Sequence, residues 1–165
     1  MLNLRGIMVP ISYIESVRKV FPDQPPYQWS TFEEAPFTPL KKPLQELRIG
    51  LISSCGIYQK DQPSFNTIKN DLTFREIPAD VDPCDLRIAH NFYDSTDAKR
   101  DMNCVFPIER LRELGKEGFI GTFVSPAYTF MGRLFKRREL QDEMIPSLIQ
   151  KFMEGKIDAL LLVPC

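Results

Sequence analysis

Ile157-Asp158-Ala159-Leu160-Leu161-Leu162-Val163 is the stretch whose reading decides the fold. It is far shorter than the ~20 apolar residues of a membrane-spanning helix. It also lacks the alternation of a strand with one wet face. A nearly continuous apolar run of this length is expected of a parallel strand covered by helices on both faces. Immediately upstream, Leu140, Met144, Ile145, Leu148, Ile149, Phe152 and Met153 follow the i, i+4, i+5, i+8 pattern of an amphipathic helix. That helix is kinked or begun afresh near Pro146, and Gly155 supplies its stop.

Working outward, Leu47-Arg48-Ile49-Gly50-Leu51-Ile52 reads as a second buried strand, ending in the tight turn Ser53-Ser54-Cys55-Gly56. Thr73 to Ile77, Leu86 to Ala89 and Phe119 to Val124 are further strand candidates. Pro107 to Leu114 is a helix opened by proline in its first turn, with Ile108, Leu111 and Leu114 spaced by three. Strand, helix and strand in alternation predict an α/β fold, a three-layer open and mostly parallel sheet with helices on both faces over residues 47–165. Ligands of such sheets bind at the carboxyl ends of the strands.

Residues 1–46 read differently. Half of the 14 prolines fall before residue 44, each removing a backbone donor, so this quarter is a Pro-rich arm with one short helix over Ile11 to Phe21. Trp29, Phe32 and Phe37 recur along it, and such aromatics pin an irregular segment onto a core or form a partner-binding strip.

The 165 residues carry 43% hydrophobic and 26% charged side chains, as a soluble globular chain does. A net charge of -1 offers no field for a nucleic-acid backbone or an acidic membrane, so neither is an expected partner. Without a basic region and signal-type apolar block at the start, the expected location is cytoplasmic. There the four cysteines, which form no CxxC pair, read as reduced thiols ahead of disulfide staples.

Two of those cysteines hold a privileged position. Cys55 follows the Leu47 to Ile52 strand and Cys165 follows the Ile157 to Val163 strand, so a parallel sheet points both at the ligand-binding edge. A thiol near strand-end N–H groups is a redox or nucleophilic candidate, whereas an unpartnered cysteine elsewhere is a small buried hydrophobe. The single histidine, His90, stands in a segment dense with Asp, Asn and Cys from Asp82 to Cys104. With Asp94 or Asp97 holding its tautomer it is a proton donor or acceptor; alternatively the acidic residues cap and brace a long loop. A metal site from Cys84, His90 and Cys104 matches no common zinc spacing, and no Gly-rich phosphate loop is present. Lys136-Arg137-Arg138 reads as a solvated helix start ahead of an anion site.

The segment DPCDLRIAHNFYDSTDAKRDMNCVFPIERLRELGKEGFIG (Asp82 to Gly121) closely resembles a signature of the selenoprotein B family. That family comprises the B component of glycine, sarcosine and betaine reductases and the selenocysteine subunit of D-proline reductase. RIGLISSCGIY (Arg48 to Tyr58), PAYTFMG (Pro126 to Gly132) and the closing ALLLVPC agree with it, and the D-proline branch looks nearest. The resemblance implies thiol- or selenol-dependent reductive cleavage of a C–N bond in a small amino acid or amine. It implies a selenocysteine directly after Cys165 in the complete gene product, with this chain stopping short of it, or else a short relative that uses Cys165 itself. It implies no bound cofactor, a pyruvoyl-bearing partner subunit for the D-proline type, and a thiol electron donor. Residue chemistry then makes Cys165 the nucleophile and His90, with Asp94, the general acid, while Arg87 or Arg100 holds a substrate carboxylate and Cys55 lies by the substrate. The alternative is a non-catalytic member of the same fold with inert thiols, whose Asp82 to Asn103 loop docks a partner or ligand.

Overall fold

The computed structural model describes residues 13–20, 22–23, 33–35, 37–91 and 93–165. The chain divides into two units, Met1–Thr38 and Pro39–Cys165. In the first, helix α1 spans Tyr13–Val20, with Glu15 in its first turn and Arg18 and Lys19 in its last, as the helix dipole favours. Ile11, Phe21, Trp29 and Phe32 lie outside the described residues. Phe37 is 86% exposed.

The second unit is built around β1 (Arg48–Ser53). Along one side of it runs β7 (Ala159–Val163), parallel and in unbroken register from Ile49↔Ala159 to Ser53↔Val163. Along the other side β5 (Thr122–Phe123) and β6 (Ala127–Phe130) follow one another, both parallel to β1. Strand β3 (Phe74–Ile77) extends the sheet antiparallel to β6. A separate antiparallel ribbon joins β2 (Ile57–Gln59) to β4 (Leu86–Ile88).

Strand geometry splits the core between two faces. Ile49 and Leu51 of β1 and Ala127 of β6 point to one face, where they meet Ile108 and Leu111 of α3 (Ile108–Lys116). Ile52 and Tyr128 point to the other, against Met144 and Leu148. Leu148 lies on α5 (Ile145–Glu154), which is preceded by the short α4 (Arg137–Glu139) and a π-helical turn at Leu140–Met144. The break foreseen near Pro146 is this π turn, after which proline sits in the first turn of α5 where its missing N–H costs nothing. Helices therefore cover both faces of a mostly parallel sheet, the expected α/β arrangement.

Two contacts set the register of β7. The Arg48 guanidinium donates to the carbonyls of Gly155 (3.0 Å) and Lys156 (3.0 Å), closing the carboxyl end of α5. The Arg48 N–H donates to the Asp158 carboxylate at 2.9 Å, a bond that holds this acid below its ordinary pKa. At Gly50 a Cβ would lie 2.7 Å from Ile157 Cδ1 and 2.8 Å from Leu160 Cδ2, so a larger residue would force these side-chain ends to shift where they cross β1.

The structure departs from expectation in three places. Strand β7 is parallel but not fully covered: Leu161 is 39% and Leu162 67% exposed. The helical layers are centred on β1, and β7 lies one strand further out. The strand expected over Phe119 to Val124 shrinks to Thr122–Phe123, and β6 follows it unforeseen. Thr129 interrupts the apolar signal of β6 yet is fully buried, because its hydroxyl accepts the Ile57 N–H at 3.0 Å.

Candidate functional site

The parallel pairing of β1 and β7 carries both chain segments past the sheet side by side. The Ser54 N–H donates to the Val163 carbonyl at 3.1 Å, and the Cys165 N–H donates to Ser54 Oγ at 2.9 Å. Two residues beyond the paired Ser53 and Val163 stand Cys55 and Cys165, and their sulfurs are joined in a disulfide with Cα atoms 5.3 Å apart. The expectation is of reduced thiols ahead of disulfides; for this pair the structure has the disulfide instead. In-register parallel strands bring equivalent positions past their ends within the separation a disulfide spans. Cys84 and Cys104 are free and exposed. A hydrogen bond from the Cys84 thiol to Asp82 raises that thiol's pKa, which works against reactivity.

The two bonded cysteines sit in unlike surroundings. Cys55 is fully buried and Cys165 is exposed. Ser53 Oγ, itself buried, lies 2.7 Å from Cys55 Sγ and 2.8 Å from the Val105 carbonyl oxygen. Cys55 Sγ is 3.2 Å from the same oxygen, a hydrogen bond that the reduced thiol can donate.

Gly56 brings the histidine to this rim. Its φ of 65° suits glycine, and a Cβ there would lie 3.4 Å from His90 N and 3.5 Å from His90 Cβ. The Gly56 carbonyl accepts the Ala89 N–H at 2.9 Å, clamping the segment that follows β4 against the turn that carries Cys55. The His90 ring packs on Tyr93, centroids 4.9 Å apart. Burial lowers the His90 pKa, so the imidazole is neutral at neutral pH and serves first as a base. Burial raises the Tyr93 pKa, and its hydroxyl is buried without a hydrogen-bond partner in the described structure.

The remaining candidates hold local bonds. Asp94 Oδ1 accepts from the Thr96 N–H (3.0 Å) and hydroxyl (2.6 Å), which lower its pKa and fix the entry to α2 (Thr96–Arg100). Arg100 pairs with Asp97 at 3.2 Å, both exposed. Arg87 Nη1 donates to the carbonyls of Cys84 and Leu86, both at 2.8 Å. The structure thus gathers Cys55, Cys165 and the His90 segment, and leaves Arg87 and Arg100 on exposed stretches before and after the histidine. Ser53, Ser54 and Tyr93 went unread in the sequence: the serines resemble any strand-to-turn exit, and Tyr93 any loop aromatic. Lys136 and Arg138 pair with Glu139 and Asp142, as a solvated helix start does.

Beside the rim, between α5 and the end of β7, opens a cavity of about 700 Å³ lined by Ile52, Phe130, Leu148, Phe152, Leu162 and Pro164, with Ser54 at its margin. Its apolar wall does not suit a zwitterionic amino acid. Among the described residues, no cluster of three or more His, Cys, Asp or Glu is placed to hold a metal, and no helix is long and apolar enough to cross a membrane.

The sequence profile of glycine/sarcosine/betaine reductase selenoprotein B matches residues 22–165. The chain is 33% identical to the D-proline reductase subunit gamma of Acetoanaerobium sticklandii over 86% of its own length and 54% of that protein's. It is 31% identical to the glycine reductase complex component B subunit gamma of Symbiobacterium thermophilum, over 64% of this chain and 26% of that one. It is 28% identical to the sarcosine reductase complex component B subunit beta of Peptoclostridium acidaminophilum, over 58% and 23%. The chain therefore spans about half the length of the first of these relatives and about a quarter of the other two. No solved structure matches it significantly.

Proposed function

The chain belongs to the glycine/sarcosine/betaine reductase selenoprotein B family, and from that premise we propose that it acts within a reductase complex that cleaves a C–N bond of a small amino acid or amine. The observation that carries this reading is the meeting of two strand-end cysteines with the His90 segment at the carboxyl rim of the sheet. In its reduced form Cys165, at the strand end, is the nucleophile toward the carbon bearing the amine. His90, neutral at rest, takes the thiol proton and returns it to the departing nitrogen. Asp94 shapes the loop that holds His90, while Arg87 or Arg100 releases its local bonds to hold a substrate carboxylate. D-proline, glycine, sarcosine and betaine are the substrates the relatives' names bring forward, and a pyruvoyl-bearing partner subunit, a thiol electron donor and a cytoplasmic setting belong to the same reading. So does a selenocysteine next to Cys165, which intact mass of the natively produced protein reads directly.

The test is amine release from each of the four substrates by the chain co-expressed with its complex partners and supplied with a dithiol. We expect one substrate to turn over and Cys165→Ser to abolish it. Undiminished turnover by Cys165→Ser sinks the proposal. The local bonds of Asp94, Arg87 and Arg100 favour a second reading, a binding member with inert thiols. Alkylation at graded pH separates the two, since inert thiols titrate at the ordinary value of about 8.5 or above.

A further inference from the structure

We infer that Cys55 is the resolving thiol of a two-electron couple with Cys165, so that the buried end of β1 takes part in turnover alongside the exposed end of β7. This rests on the reductase reading above. Three observations converge on it. The strand register already places the two sulfurs in bonding contact, so oxidation needs no rearrangement of the sheet. Cys55 is fully buried at the end of β1, so its sulfur is sheltered from an incoming substrate or reductant. The reduced state of Cys55 has its partners in place, the Ser53 hydroxyl at 2.7 Å to donate to a thiolate and the Val105 carbonyl at 3.2 Å to accept from a thiol. In a reducing compartment a disulfide of this kind is a step in a cycle.

The chemistry balances. Cys165 thiolate displaces the amine from carbon, forming a C–S bond as the C–N bond breaks, and the nitrogen leaves with a proton. Cys55 thiolate then attacks the Cys165 sulfur. The S–S bond forms, the C–S bond breaks, and the carbon keeps the electron pair and takes a proton. Two thiols thereby supply two electrons and two protons, and C–N becomes N–H and C–H. An external dithiol resets the site by attacking the Cys165 sulfur, expelling Cys55 as a thiolate, and closing into its own disulfide as Cys165 is released.

The experiment uses the full chain, oxidised with glutathione disulfide and mapped by peptide mass spectrometry without reduction. The wild type is expected to yield one cross-linked peptide pair, Cys55 with Cys165, reversed by dithiothreitol. Cys55→Ser, close to isosteric, is expected to trap glutathione on Cys165, while Cys165→Ser leaves Cys55 unmodified; circular dichroism checks that both variants fold. A cross-link to Cys84 or Cys104 instead, or no cross-link at all, overturns the inference. In the co-expressed complex, Cys55→Ser is expected to permit a single turnover and then stall as the Cys165 adduct. Sustained wild-type turnover by Cys55→Ser, with Cys165→Ser inactive, would remove the role of Cys55 and leave the reductase reading standing. A couple that cycles with no amine released from any substrate would do the reverse.

Discussion

Strands β1 and β7 are neighbours of similar apolar character with different fates. Leu51 and Ile52 of β1 are buried, while Leu161 and Leu162, their register partners on β7, stand substantially in solvent. Composition made both strands; place in the sheet decided which was covered. The cysteine beyond β1, Cys55, is fully buried and bonded to the one beyond β7. In the couple inferred above, Cys165 takes the substrate and the sheltered Cys55 resolves the adduct.

The comparison can be broken most forcefully through the bond that joins the two strand ends. The disulfide closes a loop with a sequence separation of 110 residues. Chain-entropy reasoning for a loop of roughly that length predicts that reduction lowers stability by up to about 4–5 kcal/mol. Urea unfolding with and without dithiothreitol measures this, and identical midpoints would mean that the strand ends are not covalently tied.

Next comes the contrast in burial itself. Truncating the fully buried Leu51 to Ala removes core contacts at an expected cost of about 2–5 kcal/mol. Leu162→Ala, at an exposed position, should cost below about 1 kcal/mol. Equal losses in parallel denaturation curves would show that β7 is covered as thoroughly as β1 in solution.

Gly56 links the β1 end to His90, and there the expected effect is smaller. Gly56→Ala places a Cβ at φ 65°, 3.0 Å from Met131 Cε, at an expected cost of about 1–2 kcal/mol. Separation of the His90 segment from the rim should accompany it, read as faster amide exchange at Ala89. Unchanged exchange would detach His90 from the site.

The smallest effect is the pH dependence set by His90. The unfolded chain protonates it near 6.5, whereas burial lowers the folded value. Between the two the unfolded state binds more protons, so this contribution is complete above about 6.5 and is lost as pH falls toward the folded pKa. His90→Gln should flatten stability across that window, and an unaltered profile would show that the imidazole is not buried.

Much of the fold was legible because its longest elements have clean periods. The apolar repeat of Leu140 to Met153 gave α5 and its break before Pro146; Pro107 opened α3; and the run from Ile157 to Val163 became β7. Strands β2 and β6 went unread because each is short and depends on a partner. Thr129 looks polar until the Ile57 N–H satisfies its hydroxyl. Of the site, Cys55, Cys165 and His90 were legible as strand-end and loop residues of the right chemistry. The shelter around Cys55 was not, since Ser53 lies two residues before it and Val105 fifty residues after it, and no pattern links them before the chain folds.

The sequence by itself determined the α/β class, the membership of the selenoprotein B family, and the presence of a thiol after each of two apolar strands, because periodicity and residue identity are local properties. Only the tertiary structure decided that those strands pair in register, that their cysteines meet, and that Cys55 is closed to solvent. Register and burial are relations between segments more than a hundred residues apart, fixed by the Arg48 clamp on the α5–β7 turn and by the crossing over Gly50.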